Sequence, residues 1–249
     1  MKTIIRRHIS FKLMLALFIA PIFGYSQNYA QDMEKILNKY NHGDISFQMK
    51  YRFYPYDSIS KASDSMNASC TLTKGGYYYK VVSGTKTYEY VRNSSYYFVI
   101  DHVQKVIAIK KATEAKGQLW DMSKIDSMMH SNYAKVVYKE AGKDEGEYDV
   151  KLTEGTWDRF QVVFNKSTYA IVKVNMHATS RGKMVGQSYR NPMIGISYSS
   201  YMDKVADKSI FSESRFFTVN GDNVVPTQEY NKYKVLNNLK KPSPQTNVK

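Results

Sequence analysis

The chain has 249 residues, 36 Lys and Arg against 22 Asp and Glu, a formal net charge of +14 and a single cysteine, Cys70. One cysteine excludes an internal disulfide framework and a cysteine-rich metal cluster. A hydrophobic core must therefore hold the fold, and a chain of this length can bury one.

The first segment reads as an export signal. Lys2, Arg6, Arg7 and Lys12 precede the apolar stretch Leu13 to Phe23, and the small residues Gly24 and Ser26 follow. This order of charge, apolar run and small residues predicts cleavage after Ser26. The run is shorter than the roughly 20 residues a membrane span needs. Cleavage removes four cations and no acid, which lowers the net charge from +14 to +10. An exported, periplasmic protein is expected, so nucleic acid is not the expected partner. An anionic membrane surface, an acidic polysaccharide or an acidic envelope protein would suit the excess charge.

Beyond the signal, Met33, Ile36, Leu37 and Tyr40 recur at helical spacing and predict an amphipathic helix from Asp32 to Tyr40, stopped near Gly43. The period then changes to two. Ile45, Phe47, Met49, Tyr51 and Phe53 alternate with Ser46, Gln48, Lys50 and Arg52, as in a strand with one buried face. Further strands are predicted over 67–74, 77–82, 85–91, 95–101 and 103–110, separated by short Gly, Asn and Ser turns. In this stretch Tyr77, Tyr78, Tyr79, Tyr88, Tyr90, Tyr96 and Tyr97 crowd together. Tyrosine forms strands well, because it buries its ring and leaves its hydroxyl wet.

A second helix is predicted over 118–129, where Leu119, Met122, Ile125, Met128 and Met129 share a stripe. Strands resume over 134–139, 148–153, 159–165 and 169–176, and weaker ones are expected over 193–198, 215–219 and 229–236. The tail 240–249, with Pro242 and Pro244, is expected to be disordered. One domain, 27–239, follows. It is mainly β: a single strongly curved antiparallel sheet, a half-closed barrel, covered by two helices.

The order of helix, meander, helix and further strands resembles the periplasmic lipoprotein carriers of the LolA/LolB family. The closest local likeness is Asn93-Ser94-Ser95-Tyr96-Tyr97-Phe98-Val99-Ile100-Asp101 running into His102-Val103-Gln104-Lys105-Val106. A second is Tyr148 to Leu152, Arg159 to Phe164 and Asn165 to Lys173. The likeness spans about Asp32 to Met176. The glutamine at the expected mature start is similar to that of exported Bacteroidetes proteins. The chain departs from the family pattern at Asn93-Ser94-Ser95, where Asp-Gly-Lys is usual, and at Gly75-Gly76, where an arginine often stands.

The resemblance implies a carrier that binds a lipid, or the acyl chains of a lipoprotein, in the concave apolar face. Acyl chains would displace the covering helices. The residues expected to line that face are Phe47, Met49, Tyr51, Cys70, Leu72, Tyr88, Tyr90, Tyr97 and Val99 from the sheet. Met122, Ile125 and Met129 are expected from the second helix. A one-residue error in register would turn the sheet list over as a block. The other function held open is a structural or assembly subunit of an envelope machine, with an envelope protein as partner. A monomer is expected.

Enzyme chemistry finds little support. Gly186-Gln187-Ser188-Tyr189-Arg190 lacks the closing glycine of a nucleophile elbow. His42, His102, His130 and His177 are not at metal-ligand spacing. Asp144, Glu145, Glu147 and Asp149 are close in sequence but flank glycines, as in a charged hairpin tip. A non-enzymatic protein with no cofactor and no metal is expected.

Overall fold

The computed structural model describes residues 29–239 except 42, 56–60, 115–134, 153–156, 179–182, 185–186, 189–191, 206 and 222. At 183–184 and 187–188 it describes the backbone alone. The chain begins with helix α1, residues 29–41. Tyr29, Met33, Ile36 and Tyr40 form its buried stripe at a spacing of four, three and four residues.

The strands then follow in long hairpins. They are β1 (Ile45–Tyr54), β2 (Asp64–Thr73), β3 (Gly76–Ser83), β4 (Lys86–Arg92), β5 (Tyr96–Asp101) and β6 (Val106–Lys111). After the undescribed segment come β7 (Lys135–Glu140), β8 (Glu145–Lys151), β9 (Trp157–Asn165) and β10 (Ile171–Ala178). The short hairpin of β11 (Lys183–Met184) and β12 (Gln187–Ser188) precedes the long β13 (Met193–Met202). The C-terminal part holds the hairpin of β14 (Phe217–Asn220) and β15 (Asn223–Pro226), and then β16 (Lys234–Asn237).

Twelve strands make one sheet in the order β16-β6-β5-β4-β3-β2-β1-β13-β10-β9-β8-β7. β1 joins the two meanders by pairing with β2 on one side and β13 on the other. All neighbours are antiparallel except β16, which runs parallel to β6. The expected half-closed barrel is an open sheet: β7 and β16 stand at opposite ends of the order. The sheet is nevertheless curved. One apolar cluster joins α1 to side chains of β1, β2, β3, β8, β9, β10 and β13. β3 and β8 lie six places apart, about 29 Å in a flat sheet, whereas a helix is about 10–12 Å across. The strands must curl round α1 for all of them to join its cluster.

Turn chemistry sets the register. Gly84 takes φ +57° in the two-residue turn between β3 and β4, where an L side chain would be strained. A Cβ at Gly76 would lie 2.1 Å from the Arg92 carbonyl oxygen, so only glycine lets β3 and β4 meet there. The strand expected from Val103 begins three residues later. Asp101 Oδ1 instead accepts from the backbone N–H groups of Val103 and Gln104, at 2.9 Å each, and closes a turn.

Two further expectations change, and one falls on residues that are not described. The predicted helix over 118–129 lies outside the described residues, so α1 is the one α-helix among them. The expected strand over 229–236 is a 3-10 turn, Gln228–Tyr230, followed by the short β16. The strand expected at 215–219 is half of a hairpin whose partner, β15, was not foreseen.

That C-terminal part closes a second core on the convex side. Val91, Phe98, Ile100, Ile107 and Ile109 pack there against Phe216, Phe217 and Tyr230. Phe98 meets Phe216 and Phe217 at centroid distances of 5.5 and 5.0 Å. Under the same cover Glu89 is buried. It accepts from Tyr78 Oη at 2.7 Å and pairs with His102 Nε2 at 2.9 Å, while His102 Nδ1 meets Tyr233 Oη at 2.9 Å.

Candidate functional site

The strand pairing places the nine expected sheet residues on one face. Phe47 stands opposite Cys70, Cys70 opposite Tyr79, Tyr79 opposite Tyr90, and Tyr90 opposite Val99. Met49, Tyr51, Leu72, Tyr88 and Tyr97 share their parity. This is the concave face, because α1 lies on it. Met122, Ile125 and Met129 lie outside the described residues.

The face has two regions. In the first, α1 crosses the strands. Its N-terminal end sits over β8, where Tyr29 and Tyr148 meet edge to face at 4.9 Å and Tyr148 Oη donates to Asp32 at 2.6 Å. Its C-terminal end sits over β1, β13 and β10. Tyr40 meets Phe47 at 5.6 Å. Tyr40 Oη lies 2.6 Å from Tyr201 Oη and accepts from the Ile171 N–H at 2.9 Å, and Tyr201 Oη donates to the Ile171 carbonyl. Burial pushes the Tyr40 phenol up to about 12, and it pushes Tyr198 and Tyr201 well above the ordinary tyrosine value.

Four of the expected site residues belong to this packed region. Phe47 and Met49 are 2% exposed, Cys70 1% and Leu72 7%. Burial raises the Cys70 thiol far above its usual range, so it is an inert core group. α1 is therefore fixed by hydrogen bonds at both ends, over a filled core.

The second region lies over β2 to β5. Tyr51, Tyr88, Tyr90, Tyr97 and Val99 are half-buried there, with Met66 beside them. Tyr79, absent from the expected list, is its centre. Its ring lies 5.9 Å from that of Tyr90, and its hydroxyl donates to Tyr51 Oη at 3.0 Å. Tyr51 Oη in turn points at Met49 Sδ, 3.7 Å away. Burial raises the Tyr51 phenol to about 12 and the Tyr79 phenol beyond that, so these hydroxyls stay protonated at any physiological pH. The surface is aromatic, uncharged and able to donate a few hydrogen bonds. It suits an apolar chain with an occasional polar atom.

Other clusters have structural explanations. Asp149 is 5% exposed on the convex side and is held by Arg159 through Nε and Nη2, both at 2.7 Å, and by Lys139 at 2.8 Å. The guanidinium, then the ammonium, lower its carboxyl to about 2 against the cost of burial. Glu147, on the same side, accepts from Gln161 at 3.0 Å. Both carboxylates are thus engaged within the sheet. A hollow of about 390 Å³ also opens on the convex side, but Gln48, Lys50, Asn67, Ser69, Lys80 and Ser199 give it a polar rim. Among the described residues no group of three His, Cys, Asp or Glu could hold a metal ion. No described helix is long and apolar enough to cross a membrane.

No family model matches the chain, and no curated protein does. Solved structures share part of its outline. An uncharacterised conserved protein from Thermus thermophilus is 4% identical, with a TM-score of 0.45 over 73% of this chain and 91% of that one. A LolA superfamily protein from Nitrosomonas europaea is 10% identical, with a TM-score of 0.34 over 74% of this chain and 97% of that one. The Pseudomonas aeruginosa MucA/MucB complex contains a chain 11% identical, with a TM-score of 0.42 over 74% of this chain, which spans 61% of that one.

Proposed function

We propose that the protein binds acyl chains, of a lipid or a lipidated protein, on the tyrosine-lined region of its concave face. Binding rather than catalysis is the reading. The observation that carries it is an asymmetry across strands β4 and β5. Their convex side is sealed under Phe216, Phe217 and Tyr230, whereas their concave side leaves Tyr88, Tyr90, Tyr97 and Val99 half-exposed. A face this apolar is costly to leave against water, and each methylene laid on it contributes about 0.8 kcal/mol. Phe47, Met49, Cys70 and Leu72 are assigned to the core beneath α1, and Tyr51, Tyr88, Tyr90, Tyr97 and Val99 to the ligand. Export through a cleaved signal would place this binding in the periplasm, in a single domain over 27–239.

The test is lipid extraction. Protein purified from its host is extracted with chloroform, and the extract is weighed by mass spectrometry. A defined set of acyl lipids near one per chain is expected, falling at least fivefold in the Tyr90→Ala, Tyr97→Ala double variant.

The hydrogen-bonded anchoring of α1 favours a second reading, a rigid docking module for an envelope protein. Equal lipid in the wild-type and variant extracts would favour it over the carrier.

A further inference from the structure

The geometry points to an amphiphile with an anionic head as the ligand, its head held between Arg92 and Lys110 and its chain laid over Tyr97 and Tyr90. This inference rests on the acyl-binding reading above and adds polarity to it. The two charged residues lie at one end of the tyrosine surface. The pairing runs Tyr77, Arg92, Tyr97, Lys110 across β3, β4, β5 and β6, so all four side chains share the concave parity. Arg92 and Lys110 therefore flank Tyr97, one on each side, two strand spacings or about 10 Å apart at the backbone. Both are half-buried. Lys110 Nζ already lies over the Tyr97 ring, 4.9 Å from its centroid.

Neither cation has a carboxylate partner among the described residues. The ion pairs there use other residues, including Lys39, Lys139, Arg159 and Lys166. Glu114, four residues beyond Lys110, is exposed and pairs with neither. Two acids on β2 to β5 share this parity: Asp64 on β2, opposite Phe53, and, nearer, Asp101 at the opposite end of β5, opposite Tyr88 and Val106. Asp101 is four residues along the strand from Arg92, about 13 Å away. Its carboxylate is turned into the Asp101–Gln104 turn by two backbone N–H groups. The surface thus has two half-buried cations at one end, a turn-bound Asp101 and the exposed Lys86 beside the β3–β4 turn at the other, and uncharged aromatic residues between.

Elsewhere in the fold, Arg159 pairs with Asp149 and Lys39 with Asp203 at 2.9 Å, while half-buried Arg52 donates to Ser197 Oγ at 3.1 Å on the convex side. Two unmatched cations at the end of an aromatic trough are complementary to a chain ending in a carboxylate. The guanidinium supplies a planar fork for the anion and the ammonium a mobile point charge. From Tyr97 the chain has a path along β4 and β5, over Tyr90 and Val99 to Tyr88, four residues or about 13 Å.

The probe pair is cis-parinaric acid and its methyl ester, which share one chain and differ in head charge. Their fluorescence is titrated with the full chain. The acid is expected to bind about tenfold tighter than the ester, and added salt should erase most of that difference. In the Arg92→Gln, Lys110→Gln double variant the acid should fall to the level of the ester, while the ester stays within about twofold of its wild-type affinity. Unchanged ester binding also shows that the variant is folded. Equal wild-type affinity for both probes, or parallel loss of both in the variant, overturns the anionic-head assignment and leaves acyl binding standing. Failure of both probes to bind wild-type protein overturns acyl binding itself, and this inference with it.

Discussion

The concave face holds two aromatic regions built from the same residue types. Under α1, Tyr40, Phe47, Tyr148, Tyr198 and Tyr201 are locked by ring contacts and a chain of hydroxyl bonds. Over β4 and β5, Tyr88, Tyr90 and Tyr97 have the same alternation and strand propensity but are only half-buried. What separates them, among the described residues, is whether an amphipathic helix lies on top. An aromatic strand by itself therefore does not announce a core or a ligand surface. The covering element decides.

Mutations should separate the two regions by the size and kind of their effects. The largest loss is expected for Phe47→Ala. This ring is 2% exposed and touches Tyr40, Tyr198 and Tyr201, so its removal should cost about 3–5 kcal/mol in urea unfolding. If the variant loses less than about 1 kcal/mol, the α1 region is not close-packed.

Acid should reveal the next effect. The Asp149 carboxyl, held at about 2 in the fold, has an unfolded value near 3.9. Its stabilisation is fully present above pH 4 and is lost as pH falls through about 2. Roughly 2 kcal/mol of stability should disappear across that window in the wild type. The Asp149→Asn variant should be less stable at neutral pH and flatter between pH 4 and 2, as read by stability against pH.

Tyr40→Phe removes the acceptor for the Ile171 N–H and the partner of Tyr201, leaving a buried donor unpaired. A loss of about 1–3 kcal/mol is expected, together with faster amide exchange at Ile171. The smallest change in stability is expected in the open region. Tyr97→Ala gives up a half-buried ring, about 1 kcal/mol, yet it should weaken acyl binding more than any of the variants above. A stability loss as large as that of Phe47→Ala would abolish the distinction between the regions.

Part of this was legible in the residues. The stripe of Met33, Ile36 and Tyr40 marked α1 to within three residues at its start and one at its end. Alternation marked β1 to β5, and the parity of Phe47, Cys70, Tyr90 and Val99 followed from hairpins joined by short turns. Tyr201 was not legible. Strict alternation puts Tyr198 and Tyr201 on opposite faces, but the ladder between β1 and β13 is bulged and Ser200 takes φ 53°. The extra residue brings both rings to the concave side. Tyr79 was missed because three successive tyrosines hide the period. The convex core was missed because Phe98-Val99-Ile100 is apolar towards both sides at once, and such a run does not say which side is covered.

The order of residues thus determined the elements, their turns and which side chains share a face, because those depend on near neighbours in the chain. The pairing of β1 with β13, the parallel seat of β16 and the sealing of the convex side by Phe216 and Phe217 were decided by tertiary structure. They join segments more than one hundred residues apart, and no local pattern encodes a contact across that distance.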